Sequence, residues 1–257
     1  MTAEARFDPE FGNINPKAST RRRFVLHMVL TVVATLGVLV GLFLPAIRSS
    51  RPAAYRAMCN GHLKQIALAL YQYEQDYKTL PPAYTVDSQG RPLHSWRTLI
   101  LPYLEAEDLY GSIDLAKPWN DPANAKALAT NLGIYRCPSA PAAGPGNTTT
   151  YLAVTAPDGC FQPGKPRPLA EITDPHESTL MLIEAGELSA VPWMAPSDAD
   201  ASMVLTLGVT RQLHHRGGTN AGLVDGTVHF LKASTPVAVL SKLISIAGND
   251  NPSYDEW

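Results

Sequence analysis

From Phe24 to Ile47 the chain reads FVLHMVLTVVATLGVLVGLFLPAI, with no Lys, Arg, Asp or Glu and with His27 as its single ionisable side chain. As a helix this run rises about 36 Å, at about 1.5 Å per residue, against about 30 Å of bilayer hydrocarbon. The pattern predicts a membrane-spanning helix over residues 24–47. A cleaved signal peptide is the main rival. Its hydrophobic region usually runs about 7–15 residues, shorter than this one, and Pro45, Ile47 and Arg48 interrupt the small-x-small pattern that a cleavage site needs. The span also sets an orientation. Arg21, Arg22 and Arg23 abut its start, while Arg48, Arg51 and Arg56 are spread beyond its end. The dense triplet and the short N-terminal side favour an N-terminus inside the cell.

Beyond a break or kink expected at Ser49, Ser50 and Pro52, the pattern becomes amphipathic. Leu63, Ile66, Ala67, Leu70, Tyr73 and Tyr77 recur at helical spacing, and Lys64, Gln65, Gln72 and Glu74 fall mostly elsewhere on the wheel. A second helix is expected over about 53–77, stopped by Pro81-Pro82. The two segments together suggest one long helix, half in the membrane and half packed on a soluble domain, with Pro45 as a tolerable kink. Tyr71, Tyr73 and Tyr77 are expected to pack with their hydroxyls at the rim, rather than to form a ligand-stacking platform.

The remaining pattern is shorter in period. Residues 95–110 read as helix interrupted at Pro102, and Asp121-Pro122 as a cap and first turn. Strands are expected at 135–138, 151–155 and 179–184, and at 218–224 and 227–231 around a two-residue Asp225-Gly226 turn. Ser234-Thr235-Pro236 starts a last helix over 237–247, ended by Gly248. The tails, residues 1–20 and 249–257, read as loose.

A formal charge of −2 excludes a strongly basic nucleic-acid binder by bulk charge, and no nucleic acid is expected as a partner. The three cysteines, Cys59, Cys137 and Cys160, lie far apart, with no paired zinc-ligand spacing. In an oxidising compartment they allow one disulfide and one leftover thiol. Cys59 with Cys137 is the preferred pair, although connectivity is not legible from sequence.

Several stretches, taken in order, carry a resemblance. They are CNGHLKQIALALYQYEQDYKTLPPAY (59–84), SWRTLILPYLEAEDLY (95–110), PWNDPANA (118–125), YRCPS (135–139), TTTYLAVT (148–155) and LIEAGELSAVPWMAPSD (182–198). They are followed by His215-x9-Asp225-Gly226. Together they resemble domain-of-unknown-function family 1559, a bacterial family well represented in planctomycetes, whose members have a pilin- or pseudopilin-like N-terminus. The resemblance covers about residues 21–247. It implies an α+β pilin-like fold, in which a long N-terminal helix, membrane-embedded in its first half, packs on an antiparallel sheet. His215, Asp225 and Gly226 fall on the motif that names the family's C-terminal region. Pro45, 21 residues after Phe24, sits where many pilins carry a kinking proline. The processing site departs from pilins, with Arg23 in place of their Gly and Met28 in place of their Glu. Cleavage and N-methylation are therefore not expected, and an ordinary single-pass anchor is favoured over a filament core.

The expected organisation is a cytoplasmic tail (1–23), a transmembrane helix (24–47) and an extracytoplasmic pilin-like domain (48–257). The expected function is structural or assembly-related, like a pseudopilin of a type II secretion-like system. Its partners would be the lipid bilayer, itself or other pilin-like subunits. A rival is a ligand-binding module for glycan or peptide, built on loops between Gly144 and Asp200. A hydrolase drawing on Glu184, Glu187, His214, His215, Asp225 and His229 is a weaker rival, because no spacing matches a catalytic motif. No catalytic, cofactor-binding or metal-binding residue is assigned from sequence. Calcium held by carboxylates and loop carbonyls is the one cofactor considered.

Overall fold

The computed structural model describes residues 16–140, 146–209 and 213–257, without the side chains of 16–20, Arg22 and 43–50. The expected tail up to Asn15, residues 144–145 at the start of the candidate binding loops and the Pro45 side chain lie outside the described residues. The chain divides into two compact units, Met1–Arg51 and Pro52–Trp257.

Helix α1 runs over Pro16–Tyr77. It therefore takes in Pro16 to Thr20, which sequence reasoning left in the tail, and it continues without a break through Ser49, Ser50 and Pro52, where a break or kink was expected. Within the first unit, Arg23–Leu42 is long and apolar enough to cross a membrane, a property that a signal sequence shares, and none of it is buried in protein. Two hydroxyls on this stretch are satisfied inside the helix. Thr31 Oγ1 donates to His27 O (2.7 Å) and Thr35 Oγ1 to Thr31 O (2.6 Å). Such back-bonding leaves neither threonine hydroxyl in need of water.

The second unit is α+β. After α1 come β1 (Tyr84–Val86), β2 (Pro92–Ser95), α2 (Trp96–Leu99), α3 (Glu107–Gly111) and α4 (Ala125–Leu128). Then follow β3 (Thr148–Thr149), β4 (Tyr151–Thr155), β5 (Leu180–Glu184), β6 (Val191–Pro192), β7 (Ala199–Asp200), α5 (Ala201–Leu205), β8 (Gly218–Leu223), β9 (Val228–Lys232) and α6 (Val237–Ile244). The main sheet has the order β7-β4-β5-β8-β9. Its pairs are antiparallel except the short β4–β7 edge.

Strand alternation assigns the two faces of this sheet. Tyr151 opposes Glu184 and Ala153 opposes Leu182, all on the face that shares a core with Cys59, Leu63, Ile66, Ala67 and Leu70 of α1. Leu152 opposes Ile183 on the other face, which packs with Val204 of α5 and with Leu240 and Leu243 of α6. The sheet is thus covered on both faces. That explains why β5 (LMLIE) is buried along its whole length rather than alternating. A register shift between Leu180 and Leu182 lets Met181 join the α1 side.

Several local expectations are corrected. Residues 133–135 form a 3-10 turn rather than a strand, leading into Cys137. Neither Ser234 nor Thr235 caps α6; Pro236 holds the cap position without a side-chain bond. Helix α6 ends at Ile244, and the Gly248 and Asn249 amides instead donate to the Asp174 carboxylate, each at 2.8 Å. The C-terminal tail is not loose: Trp257 is buried in the outer core and stacks on Tyr254. The β8–β9 connection is a three-residue loop, Val224 to Gly226. Leu223 N–H donates to Thr227 O and Gly226 N–H to Leu223 O. Gly226 is left-handed (φ 82°), whereas Asp225 is not among the residues with positive φ. This is a turn followed by a left-handed glycine, not the two-residue hairpin expected from sequence.

Candidate functional site

Four buried side chains from distant parts of the chain meet between α1 and the sheet. Cys59 comes from the first buried turn of α1. Cys137 follows the 3-10 turn at Gly133–Tyr135. Glu184 is the last residue of β5, on the α1 face because its partner Tyr151 is. His215 precedes β8, tied to Gly218 by an isolated bridge. Their ligand-type atoms all lie within 4.8 Å of one another. Exposure is 0% for Cys59, 1% for Cys137 and Glu184, and 6% for His215, so water does not solvate the group.

The contacts within it are uneven. The Cys59 and Cys137 sulfurs lie 2.7 Å apart, and both thiols are free. His215 Nε2 is 3.2 Å from Glu184 Oε2, an ion-pair distance without hydrogen-bond geometry. Asn220 Nδ2 donates to Glu184 Oε2 at 2.8 Å, and Glu184 Oε1 has no partner although it is buried. Thr219 Oγ1 donates to the Glu184 carbonyl. Ser139 N–H points to Cys137 Sγ at 3.4 Å.

The electrostatics follow from this packing. The thiol of Cys137 hydrogen-bonds Cys59 and holds its pKa down to about 6 against burial, with His215 helping. Cys137 is pushed up by the same bond and by burial, so the pair shares one proton and Cys59 ionises first. Burial lowers the pKa of His215, but the adjacent Cys59 sulfur and Glu184 carboxylate outweigh it and leave the imidazole at about 9. Burial raises Glu184; the adjoining His215 imidazole, with Cys137 and Asn220, brings it below the ordinary carboxylate value. Tyr151, whose hydroxyl lies 3.4 Å from His62 Nδ1, is pushed up by burial.

The other residues singled out from sequence divide. Glu187 and His214 form a neighbouring pair, His214 Nε2 3.5 Å from Glu187 Oε2, with the histidine pKa lowered by burial. Asp225 sits at the β8–β9 loop and accepts from Thr227 N–H (2.9 Å) and Oγ1 (2.7 Å), a turn role. His229 does not join the cluster. It is half-buried under the C-terminal tail, its ring 4.8 Å from that of Tyr254. Tyr73 stacks on Tyr77 at 4.3 Å, and Tyr71 Oη donates to Val224 O, so these two contacts are packing and anchoring ones.

Sequence reasoning missed a second buried polar site. Arg97 of α2 is fully buried and pairs with Asp198 at 2.6 Å. The signal was present as Ser-Trp-Arg at 95–97 and Pro-Ser-Asp at 196–198, but nothing in the spacing joins them.

No curated protein and no solved structure matches the chain. Over residues 48–206, more than half of its length, it matches the family described as "Protein of unknown function (DUF1559)". That span takes in Cys59, Arg97, Cys137, Glu184 and Asp198, while His215 and Asp225 lie beyond it. The chain belongs to the DUF1559 family.

Proposed function

We propose that this protein is a membrane-anchored, pilin- or pseudopilin-like structural or assembly component, without enzymatic activity. Residues 24–47 hold it in the bilayer with the N-terminus cytoplasmic, and residues 48–257 form the extracytoplasmic domain. The observation that carries the reading is the change of environment along α1. From Phe24 (70% exposed) to Leu42 (68%) its apolar side chains have no protein cover. From Cys59 to Leu70 one face is fully buried in the domain core. A continuous apolar stretch of that size, left bare, calls for lipid or the spans of other subunits. Arg23 and Met28 stand where a cleavable, filament-forming pilin has Gly and Glu, so a retained anchor is favoured.

Intact-mass spectrometry of protein extracted from native membranes tests this. The expected result is the full-length mass in the membrane fraction. A soluble product beginning near Ile47 would overturn the anchor. A methylated chain beginning at Phe24 would instead mark pilin-type processing and a filament subunit.

A second reading, an extracytoplasmic binding module for glycan or peptide, draws on a groove of about 390 Å³ lined by Thr155, Ala156, Pro157, Gln162, Pro163 and Lys165. It predicts a monomer in detergent that gains thermal stability with ligand, where the assembly reading predicts self-association through the span.

A further inference from the structure

The structure assigns Cys59, Cys137, Glu184 and His215 as a structural site for one divalent transition metal, with zinc the ion that suits the donors best. The assignment goes beyond the anchoring role and does not depend on it. Two sulfurs, one imidazole nitrogen and one carboxylate oxygen lie within 4.8 Å of one another. Soft thiolates with an imidazole select zinc-like ions, whereas calcium and magnesium take all-oxygen shells. The calcium considered from the sequence is therefore not what this cluster would hold.

Two observations point to an ion rather than to a disulfide beside an ion pair. The first is the pair of buried atoms left without hydrogen bonds, Glu184 Oε1 and His215 Nε2. A Cys59–Cys137 disulfide would leave both as they are, at the desolvation cost of buried orphan polar atoms; a metal would use the donor capacity of both side chains. The second is geometry. His215 Nε2 and Glu184 Oε2 are 3.2 Å apart. That is close to the edge of about 3.3 Å expected between nitrogen and oxygen ligands on a tetrahedral zinc with bonds of about 2.0–2.1 Å. The sulfurs, at 2.7 Å, must part to about 3.8 Å to serve as thiolate ligands.

The surroundings resemble the outer shell of a metal site. Asn220 Nδ2 holds the Glu184 carboxylate and Ser139 N–H points to the Cys137 sulfur. Such contacts fix ligand orientation. Binding would displace to solvent the protons still held by the cysteine pair and the imidazole, leaving two thiolates, a carboxylate and a neutral imidazole on the cation. With four protein ligands and almost no exposure, the site has no open position for a substrate, which makes its role structural. It would tie α1 to the end of β5, to the start of β8 and to the segment after the 3-10 turn.

The test uses the full-length protein purified in detergent. It is stripped with a chelator under reductant, re-equilibrated with zinc or cobalt(II), and assayed for bound metal and for thiols titrated after unfolding. The expected results are one zinc per chain, three titratable thiols, and a cobalt form with a sulfur-to-metal charge-transfer band. Cys59→Ser and His215→Ala should each weaken zinc binding at least tenfold, while Cys160→Ser leaves it unchanged. Should Cys59→Ser fail to fold, Glu184→Gln keeps the shape of the site and should still lower affinity. No stoichiometric metal in the folded wild type overturns the assignment. So does a chain isolated from its native membrane, without added reductant, that titrates one thiol and weighs two hydrogens less, because that is the Cys59–Cys137 disulfide.

Discussion

Arg97→Met is expected to lower the stability of the domain by about 3–5 kcal/mol, the usual cost of breaking a buried ion pair from one side. For a domain of this size that is a fall in Tm of about 6–20 °C. The guanidinium is fully buried and spends every donor. Nε donates to Trp193 O (3.0 Å), Nη1 to Tyr151 O (3.2 Å) and Asp198 Oδ1 (2.6 Å), and Nη2 to Ala195 O (3.1 Å) and Ser197 O (2.8 Å). It is held in place locally, since Ser95 caps α2 by accepting from Arg97 N–H, and Tyr135 Oη donates to Arg97 O. Asp198 Oδ1 also accepts from Trp96 Nε1 and Ala153 N–H, so one carboxylate oxygen joins α2, β4 and the segment before β7. Arg97→Lys is no remedy, because an ammonium lacks the planar fork that reaches five acceptors.

The pH dependence of this loss has a definite sign. Burial raises the Asp198 pKa, and Arg97 with its neighbours pulls it back. Without Arg97 only the smaller hydrogen-bond contributions oppose burial, so the folded pKa moves further above the unfolded one. A raised pKa contributes stability at low pH that is lost as the pH rises through the folded value. The Arg97→Met deficit should therefore be smaller in mild acid than at neutral pH. Adding Asp198→Leu should recover part of it, because the orphaned carboxylate is then gone. Thermal unfolding of the three variants at both pH values checks this. An Arg97→Met protein that melts with wild type would show that the buried network does not form.

What was legible in the sequence follows from how far each signal reaches. The apolar run before residue 48, the amphipathic face beginning at Leu63, and the strands at 151–155 and 179–184 are written in local periodicity, and the structure has them nearly as read, the face buried as far as Leu70 and the last strand starting at Leu180. Of the second helical layer α6 was read from its start signals, but α5 was not, because its five residues are too few to show a period. Cys59 was paired with Cys137, and Glu184 was grouped with His215, yet the two groups were not joined into one site. Metal and redox motifs are recognised by short spacings, and here the nearest two ligands are 31 residues apart (184 to 215). The Arg97–Asp198 pair spans 101 positions and was visible only as two pieces of a family resemblance. A charged residue in sequence reads as surface until the fold shows that it is buried and fully bonded.

Gly226→Val is expected to cost about 2–3 kcal/mol, through backbone strain together with steric overlap. Gly226 sits at φ 82°, a region that a β-branched residue enters only with strain. A Cβ there would also lie 3.0 Å from Cε2 of Tyr71, whose hydroxyl donates to Val224 O. The loop is therefore pinned against α1, and the ring cannot retreat without giving up that bond. Gly226→Ala should cost less, and Gly226→Asn least, because asparagine tolerates the left-handed region best among residues with a side chain. Asp225→Val acts differently. Asp225 is not at positive φ, and among the described residues its carboxylate bonds the amide and hydroxyl of Thr227 alone. Its loss should be smaller than that of Gly226→Val, with no strain to relieve. The ranking is the decisive readout, measured as Tm in parallel unfolding scans. Were Asp225→Val as damaging as Gly226→Val, both positions would need the left-handed conformation. The loop would then be the two-residue Asp-Gly turn suggested by the sequence, and the three-residue geometry would be wrong.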